Sequence, residues 1–510
     1  TKPKFLVRNL TKNQIRLQYS GFIIFAAKML SIGTGLIFQL MIARTTSTEE
    51  YGLWFNINDV LAYFTLLAGV LPFWTMRSVA RGTEGAAKTG IFANLIISAI
   101  AMSVYLPLIP FITSSLGISK AYLLPYFLMS MQIIELYLIN ALQACLQATI
   151  PQTLGYGLLS TEICKVALGY VLIIQFRQPI LGAVISLIVA LAVQITYYIK
   201  ILRGEFKQKA EWKYVKEWIK GSVANIYNVI GNQIAALIFI MLFTYGGWEA
   251  RGYFGAAAQI ANIITYSSFL AFALHPKLLI ERKTEDVTTS LETVLMFAIP
   301  MTAGVIALPD SYLTILQEAY VDSKPVLVVL AIDALIATTS TIFSSVVYGF
   351  EKVDEKAEIS FKQLAKSRLF FAFSLPYFHF LITLPTSYYV LTTYTRNQPL
   401  TAAFCVSIIN SLARFTMFLV LYAVVHKMSK IVIPWKNIAK YVFASSIMAT
   451  VLLILPHPTR IYSTLIVTAI GGIIYLTLLM AIDREARSLA HSVWTEIKFK
   501  VKGEVKIDFS

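Results

Sequence analysis

SGFIIFAAKMLSIGTGLIFQLMIA, residues 20–43, is an apolar run broken by a single charged side chain, Lys28. As a helix rising 1.5 Å per residue, a run of this length crosses a hydrocarbon core of roughly 30 Å. Seven or eight residues later a second run begins, and the alternation of long apolar run and short connection continues along the chain. The runs fall at 20–43, 52–75, 89–113, 121–148, 156–176, 179–201, 221–245, 252–274, 288–309, 323–349, 369–394, 400–425, 441–456 and 461–482. The expected architecture is an all-α polytopic membrane protein with about 14 transmembrane helices. A composition of 57% hydrophobic and 14% charged residues fits that class and excludes an ordinary soluble domain.

The connections divide sharply by charge. One set holds Arg44, Lys120, Arg177, Arg251, Lys324, Arg396 and Arg460, seven cations in all. The other set holds 33 of the 43 basic residues, leaving Lys28, Lys165 and Arg414 inside runs. Short basic loops stay on the cytoplasmic side, so both termini are expected there, in a multi-pass protein of the plasma membrane. The net charge of +16 is then mainly a topology signal, with a smaller contribution from attraction to anionic headgroups, and it does not call for a nucleic-acid partner. A basic stretch precedes the first run, which is longer than a signal-peptide core and has no small-residue cleavage pattern after it; the first span is expected to be retained.

Function classes narrow next. Cys145, Cys164 and Cys405 lie within runs, with no CxxC, so neither a disulfide framework nor a metal cluster is implied. No GxxxxGK[ST] loop is present, which argues against ATP-driven pumping by this chain. A membrane glycosyltransferase needs external loops that present acidic metal ligands. The first external loop here is only Thr45 to Tyr51, where Glu49 and Glu50 read most simply as solvated charges. No catalytic residues, cofactor or metal ligands are assigned.

An offset of 200 residues lays Glu50-Tyr51-Gly52-Leu53-Trp54 over Ala250-Arg251-Gly252-Tyr253-Phe254, and Lys28 and Asp59 over Asn228 and Gln259. Six runs separate the copies, so they keep the same orientation and are related by an axis along the membrane normal. The expected organisation is an N-lobe (1–202, helices 1–6), a basic cytoplasmic linker (203–220), a C-lobe (221–430, helices 7–12), and a segment (431–510) with helices 13–14 and a basic tail. The two six-helix lobes form a parallel pseudo-two-fold repeat around a central cavity. The linker reads either as an amphipathic segment on the inner membrane surface or as a solvated loop.

Polar side chains within runs gather on helical faces. They include Lys28, Ser31 and Gln39 in the first run, Asn56, Asp59 and Tyr63 in the second, and Gln132, Glu135, Gln143 and Gln147 in the fourth. Further faces carry Asn225, Asn228 and Asn232, then Gln259 and Asn262, then Asp333, Ser340 and Ser344. Amides and hydroxyls of this kind either line a wet cavity or hold helices together. A central charge is different, because it costs about 2.5–3.5 kcal/mol on insertion scales and needs a partner or water. Lys28 and Asp59 are therefore candidates for substrate contact and ion coupling respectively, or they neutralise one another. Glu162 and Lys165, three apart, fit a local ion pair. Arg414 either meets a phosphate group or bonds carbonyls of the preceding helix near Pro376 and His379.

Three stretches resemble a known family. Gln39-Leu40-Met41-Ile42-Ala43-Arg44 followed by Glu49-Glu50-Tyr51-Gly52-Leu53-Trp54 is similar to the opening of the polysaccharide and lipid-linked oligosaccharide flippases, which belong to the MATE-like exporter superfamily. Gly252-Tyr253-Phe254-Gly255-Ala256-Ala257-Ala258-Gln259 and Tyr320-Val321-Asp322-Ser323-Lys324-Pro325-Val326-Leu327 match in the same order. The resemblance implies a V-shaped, two-lobe secondary transporter. It would flip a polyprenyl or dolichyl (pyro)phosphate-linked oligosaccharide from the cytoplasmic to the outer leaflet by alternating access. Lys28 matches a basic position of that family, and Arg44 matches an arginine at the outer end of helix 1, as a gate or as a substrate contact. Asn225, Asn228 and Asn232 stand where further cations are expected, which leaves monophosphate and pyrophosphate carriers both open. The substrate-binding set is then Lys28, Asn56, Asn225, Asn228, Gln259 and Arg414, and the candidates for coupling H+ or Na+ are Asp59, Glu135 and Asp333. Partners are the lipid-linked glycan and membrane lipids. A multidrug or organic-cation antiporter on the same scaffold is the main alternative, and a non-transporting protein of glycan synthesis is a further one.

Overall fold

The computed structural model describes residues 30–271, 284–350, 368–428 and 431–483, together with Ala27, Ala486 and Arg487. Regular structure among the described residues is helical throughout. Among the described residues ten helices are long and apolar enough to cross a membrane, or eleven when the bent pair Thr48–Thr65 and Val70–Ala80 counts as one span. Three of the fourteen expected runs fall outside that count for different reasons. The first is described only as the helix α1, Leu30–Thr45. The run at 252–274 becomes α11, Trp248–Thr265, and tightens into a 3₁₀ turn over Tyr266–Ala271. The run at 369–394 forms a helix, Arg368–Thr393, with Pro376 and Pro385 inside it.

Local chemistry sets the helix that matters most here. Ser47 caps α2, Thr48–Thr65, by accepting from the Glu50 N–H at 3.1 Å, while the Glu50 carboxylate accepts from the Ser47 N–H at 3.1 Å. This reciprocal cap, with Glu49 and Glu50 at the positive end of the helix, fixes where the chain turns inward. The expected continuous span 52–75 is not continuous. It breaks at residues 66–69 and resumes as α3, Val70–Ala80, at a bend of 56°.

Backbone contacts divide the chain into two units, Thr1–Gly255 with Lys352–Ile409, and Ala256–Glu351 with Asn410–Ser510. In the first unit α4 (Ala86–Ser115), α5 (Leu123–Thr149) and α7 (Pro179–Ile201) share a core. Ala141, Leu142, Cys145 and Leu146 pack there on Ile91, Tyr198 and Leu202. α6, Gln152–Gly169, lies against α7, where Thr161 donates to Gln194 Oε1 at 2.8 Å. α8, Lys213–Gly221, is short, and α9, Val223–Ala235, follows it directly. α10, Leu237–Met241, then leads through a widened turn to α11. In the second unit α12, Thr284–Ala307, packs against α14, Lys324–Phe350, and α17, Trp435–Ile454; between α12 and α14 lies the short α13, Pro309–Leu316. The Arg368–Thr393 helix is α15, and α16, Pro399–Met428, runs from the first unit into the second. In α18, Ile461–Ile482, Tyr475 donates its hydroxyl to the Met296 carbonyl at 2.6 Å.

Candidate functional site

α2 and α11 meet at glycines. A Cβ placed on Gly52 would strike the Trp248 carbonyl, and one placed on Gly252 would strike the Thr48 carbonyl. The two collisions are reciprocal under the 200-residue offset, since 48 maps to 248 and 52 to 252. A third contact obeys the same rule, with Gly255 seated against the Phe55 ring. Only residues without a side chain let the two backbones approach so closely.

Asp59 and Arg251 form a two-pronged ion pair at this crossing. Arg251 Nε donates to Asp59 Oδ2 at 2.7 Å and Nη2 donates to Oδ1 at 3.0 Å. Arg251 is only 6% exposed. Its guanidinium sits 4.7 Å from the Phe55 ring centre and 5.0 Å from that of Phe239, so aromatic faces complete the enclosure. Sequence reasoning counted Arg251 among the loop cations and considered Lys28 as the partner of Asp59. Lys28 itself lies outside the described residues. Under the 200-residue offset Arg251 falls on Tyr51, which is fully buried.

Asn56, one turn before Asp59, is buried and accepts from the Tyr126 hydroxyl at 2.5 Å, leaving its Nδ2 with no hydrogen-bond partner. On α5 the carboxyl of Glu135 is 8% exposed, and its Oε2 has no hydrogen-bond partner; the Nε2 of Gln132, one turn earlier, has none either. Glu162 has the opposite surroundings. Lys165 lies 2.6 Å away, Ser31 donates at 2.9 Å, and Thr34 donates as well, tying α1 to α6. Asn232 Nδ2 donates to the Asn228 carbonyl at 2.9 Å, Asn225 is exposed, and Arg44 is exposed at the end of α1.

Gln259, Asp333 and Arg414 fall in the second unit. Gln259 is half-buried on α11. Asp333 and Arg414 pair with each other through one contact, Nε to Oδ1 at 3.1 Å. The Arg414 side chain is 39% exposed. A residue assigned to substrate and one assigned to ion coupling are thus two ends of one bridge.

Comparison with solved structures follows the same outline. The lipid II flippase MurJ in an inward closed conformation superposes with a TM-score of 0.68 at 15% identity, covering 91% of this chain and 99% of MurJ. An inward-facing multidrug resistance MATE transporter of the MOP superfamily gives 0.58 at 15% identity, covering 80% of this chain and 99% of its own. The chain has the MOP fold. A MATE in the bent conformation gives 0.51 at 13% identity, with 81% and 96% covered. No family model matches the chain, and no curated protein matches it by sequence. The MOP proteins it superposes on are flippases and transporters, and nearly their whole lengths are matched.

Proposed function

We propose that this chain is a secondary transporter that flips a polyprenyl or dolichyl (pyro)phosphate-linked oligosaccharide from the cytoplasmic to the outer leaflet of the cell membrane. It would serve glycan or surface-polysaccharide assembly. In this reading fourteen spans form two parallel six-helix repeats, 1–202 and 221–430, joined by the 203–220 linker and followed by two helices, with both termini cytoplasmic. The reciprocal contacts of Gly52, Gly252 and Gly255 support the repeat. The likeness to MurJ supports a flippase.

The observation that carries the mechanism is the Asp59–Arg251 pair. Arg251 offers the planar fork that suits a carboxylate and a phosphate alike. A lipid phosphate that takes the place of Asp59 on Arg251 breaks the tie between α2 and α11, and the freed Asp59 accepts a proton or sodium ion. Glu135 and Asp333 are the other coupling candidates. Lys28, Asn56, Asn225, Asn228, Gln259 and Arg414 contact the headgroup, and Arg44 belongs to the gate at the outer end of α1. The glycan passes through water while the isoprenoid tail stays in the bilayer. Rocking of one repeat on the other exposes the path to each side in turn.

A second reading, a MATE-type organic-cation antiporter, is favoured by the MATE superposition and by Glu135, a buried carboxyl with an unpartnered oxygen that suits a cationic cargo. Deletion of the protein separates the readings. A flippase predicts that lipid-linked glycan accumulates in the inner leaflet while sensitivity to cationic drugs is unchanged. Drug hypersensitivity with normal glycolipid distribution supports the antiporter. Loss of glycolipid synthesis itself supports a scaffold role in glycan assembly.

A further inference from the structure

We propose that α8 is a docking surface for anionic phospholipid headgroups. Its inner face is occupied. Trp218 is buried in a cluster with Leu71, Ala86 and Ala93, and Tyr214 and Val215 pack beside it. The strand of chain around α8 is fastened to α3 and α4: the Gly85 N–H donates to Gln208 Oε1 at 2.6 Å, the Glu211 N–H to Thr89 Oγ1 at 2.8 Å, and Trp74 Nε1 to Ser222 Oγ at 2.9 Å. With that side fixed, the outer side is fixed too.

The outer side carries Trp212 at 51% exposed and Ile219 at 49%, with Val223 also exposed. Lys216 and Ile219 share one face of α8, Trp212 stands at its N-cap and Val223 opens α9 just after the Ser222 turn, with Lys213 and Lys220 flanking them. Glu217 is the helix's acidic residue and is exposed on the opposite side from Ile219. Indole and aliphatic groups interleaved with long ammonium side chains suit the boundary between headgroups and acyl chains, where the stems lie along apolar surface and the charges meet phosphate.

Position along the chain commits this face to lipid. One candidate span ends at Lys207 and the next begins at Asn225, so both ends of α8 are tethered within a few residues of the bilayer surface. The connection lies in the basic set of loops, the side on which anionic lipid is concentrated. Because Ser222 leads straight into α9, lipid held at α8 also steadies the helix that carries Asn225, Asn228 and Asn232. None of this depends on the identity of the cargo.

The test uses the full chain in nanodiscs, with Cys145, Cys164 and Cys405 replaced by alanine and a nitroxide attached at I219C or E217C. Nanodiscs of phosphatidylcholine alone are compared with nanodiscs containing phosphatidylglycerol. The expected result is that phosphatidylglycerol moves the label at 219 towards oxygen and away from a water-soluble nickel chelate, by severalfold in relative accessibility, while the label at 217 stays water-accessible. Replacing Lys213, Lys216 and Lys220 with Gln should abolish that change. It should also remove the increase in Tm that phosphatidylglycerol gives the unlabelled parent. A label at 219 that is as open to the chelate as one at 217, a depth indifferent to phosphatidylglycerol, or a lipid-dependent Tm increase that survives the triple substitution overturns the proposal.

Discussion

Among the described residues two carboxylate–arginine pairs lie within helices, and they are built differently. Asp59 and Arg251 make two bonds, enclosed by phenylalanine rings. Asp333 and Arg414 make one contact, with the arginine side chain 39% exposed. The first geometry is that of a lock, because separating the partners leaves a charge stranded in an apolar shell. The second is that of an exchangeable bridge, since the arginine already reaches open space and needs little rearrangement to take another anion. In the proposed cycle the first pair is the tie between α2 and α11 that cargo must open, and the second is the one whose arginine is already open to solvent.

The largest effect that sharpens this contrast is expected from Arg251→Ala, which leaves the half-buried Asp59 carboxylate without its cation, opens a gap among the phenylalanine rings and costs about 3 kcal/mol. Thermal unfolding in detergent or nanodiscs measures it. The double variant Asp59→Asn/Arg251→Gln should recover most of the loss, because no charge is then stranded. Equal damage from the double and single variants breaks the lock interpretation.

Gly52→Ala comes next. Its new methyl group meets the Trp248 carbonyl, forces α2 from α11 and costs about 1–3 kcal/mol. Gly33, which has open space around its Cβ position, is the control and should tolerate alanine with little change.

Arg414→Ala strips the cation from Asp333, whose side chain is 9% exposed, and should cost about 1–3 kcal/mol in stability, less than Arg251→Ala, yet reduce transport at least tenfold if the bridge exchanges with cargo. A stability loss as large as that of Arg251→Ala erases the difference between the two pairs.

The smallest effect concerns an ion cluster outside the spans. Burial acts to raise the Asp310 carboxyl, but the hydrogen bond from His457, its own backbone N–H and the charges of His457 and Lys324 outweigh that and hold it below its ordinary value of 3.8. A depressed carboxyl contributes stability that is fully present above the ordinary carboxylate range and is lost as pH falls through the lowered value. Asp310→Asn should therefore lower Tm slightly near neutral pH, and the difference from the parent should shrink as pH falls through the carboxyl's lowered value.

Much of this organisation was legible in the residues. Long apolar runs and the basic bias of alternate loops are one-dimensional signals, set by bilayer thickness and by the cost of moving cations across it. The offset aligned Gly52 with Gly252, but that the two helices cross there was not read from it and comes from the contacts of the two glycines. Partner choice was not legible. Arg251 stands three residues into its helix, and nothing local says that its side chain reaches Asp59 of α2 rather than water. The pairing of Arg414 with Asp333 joins residues 81 apart in sequence and was read as two separate roles. The bend after Thr65 was also missed, since Leu66-Leu67-Ala68-Gly69 keeps the apolar pattern of a continuous span.

The central claim, that lipid-linked glycan crosses only when α2 and α11 separate, is tested most directly by tethering their N-terminal ends. Glu49 and Glu249 line one open hollow of about 540 Å³ with Trp248 and Asn397. In a chain whose three native cysteines are replaced by alanine, cysteines at 49 and 249 can be joined by a short reducible cross-linker and the protein reconstituted with a polyprenyl pyrophosphate-linked oligosaccharide. The account predicts that transfer of the glycan to the far leaflet stops on cross-linking and returns on reduction. Transfer at the same rate in the tethered and released states would contradict it.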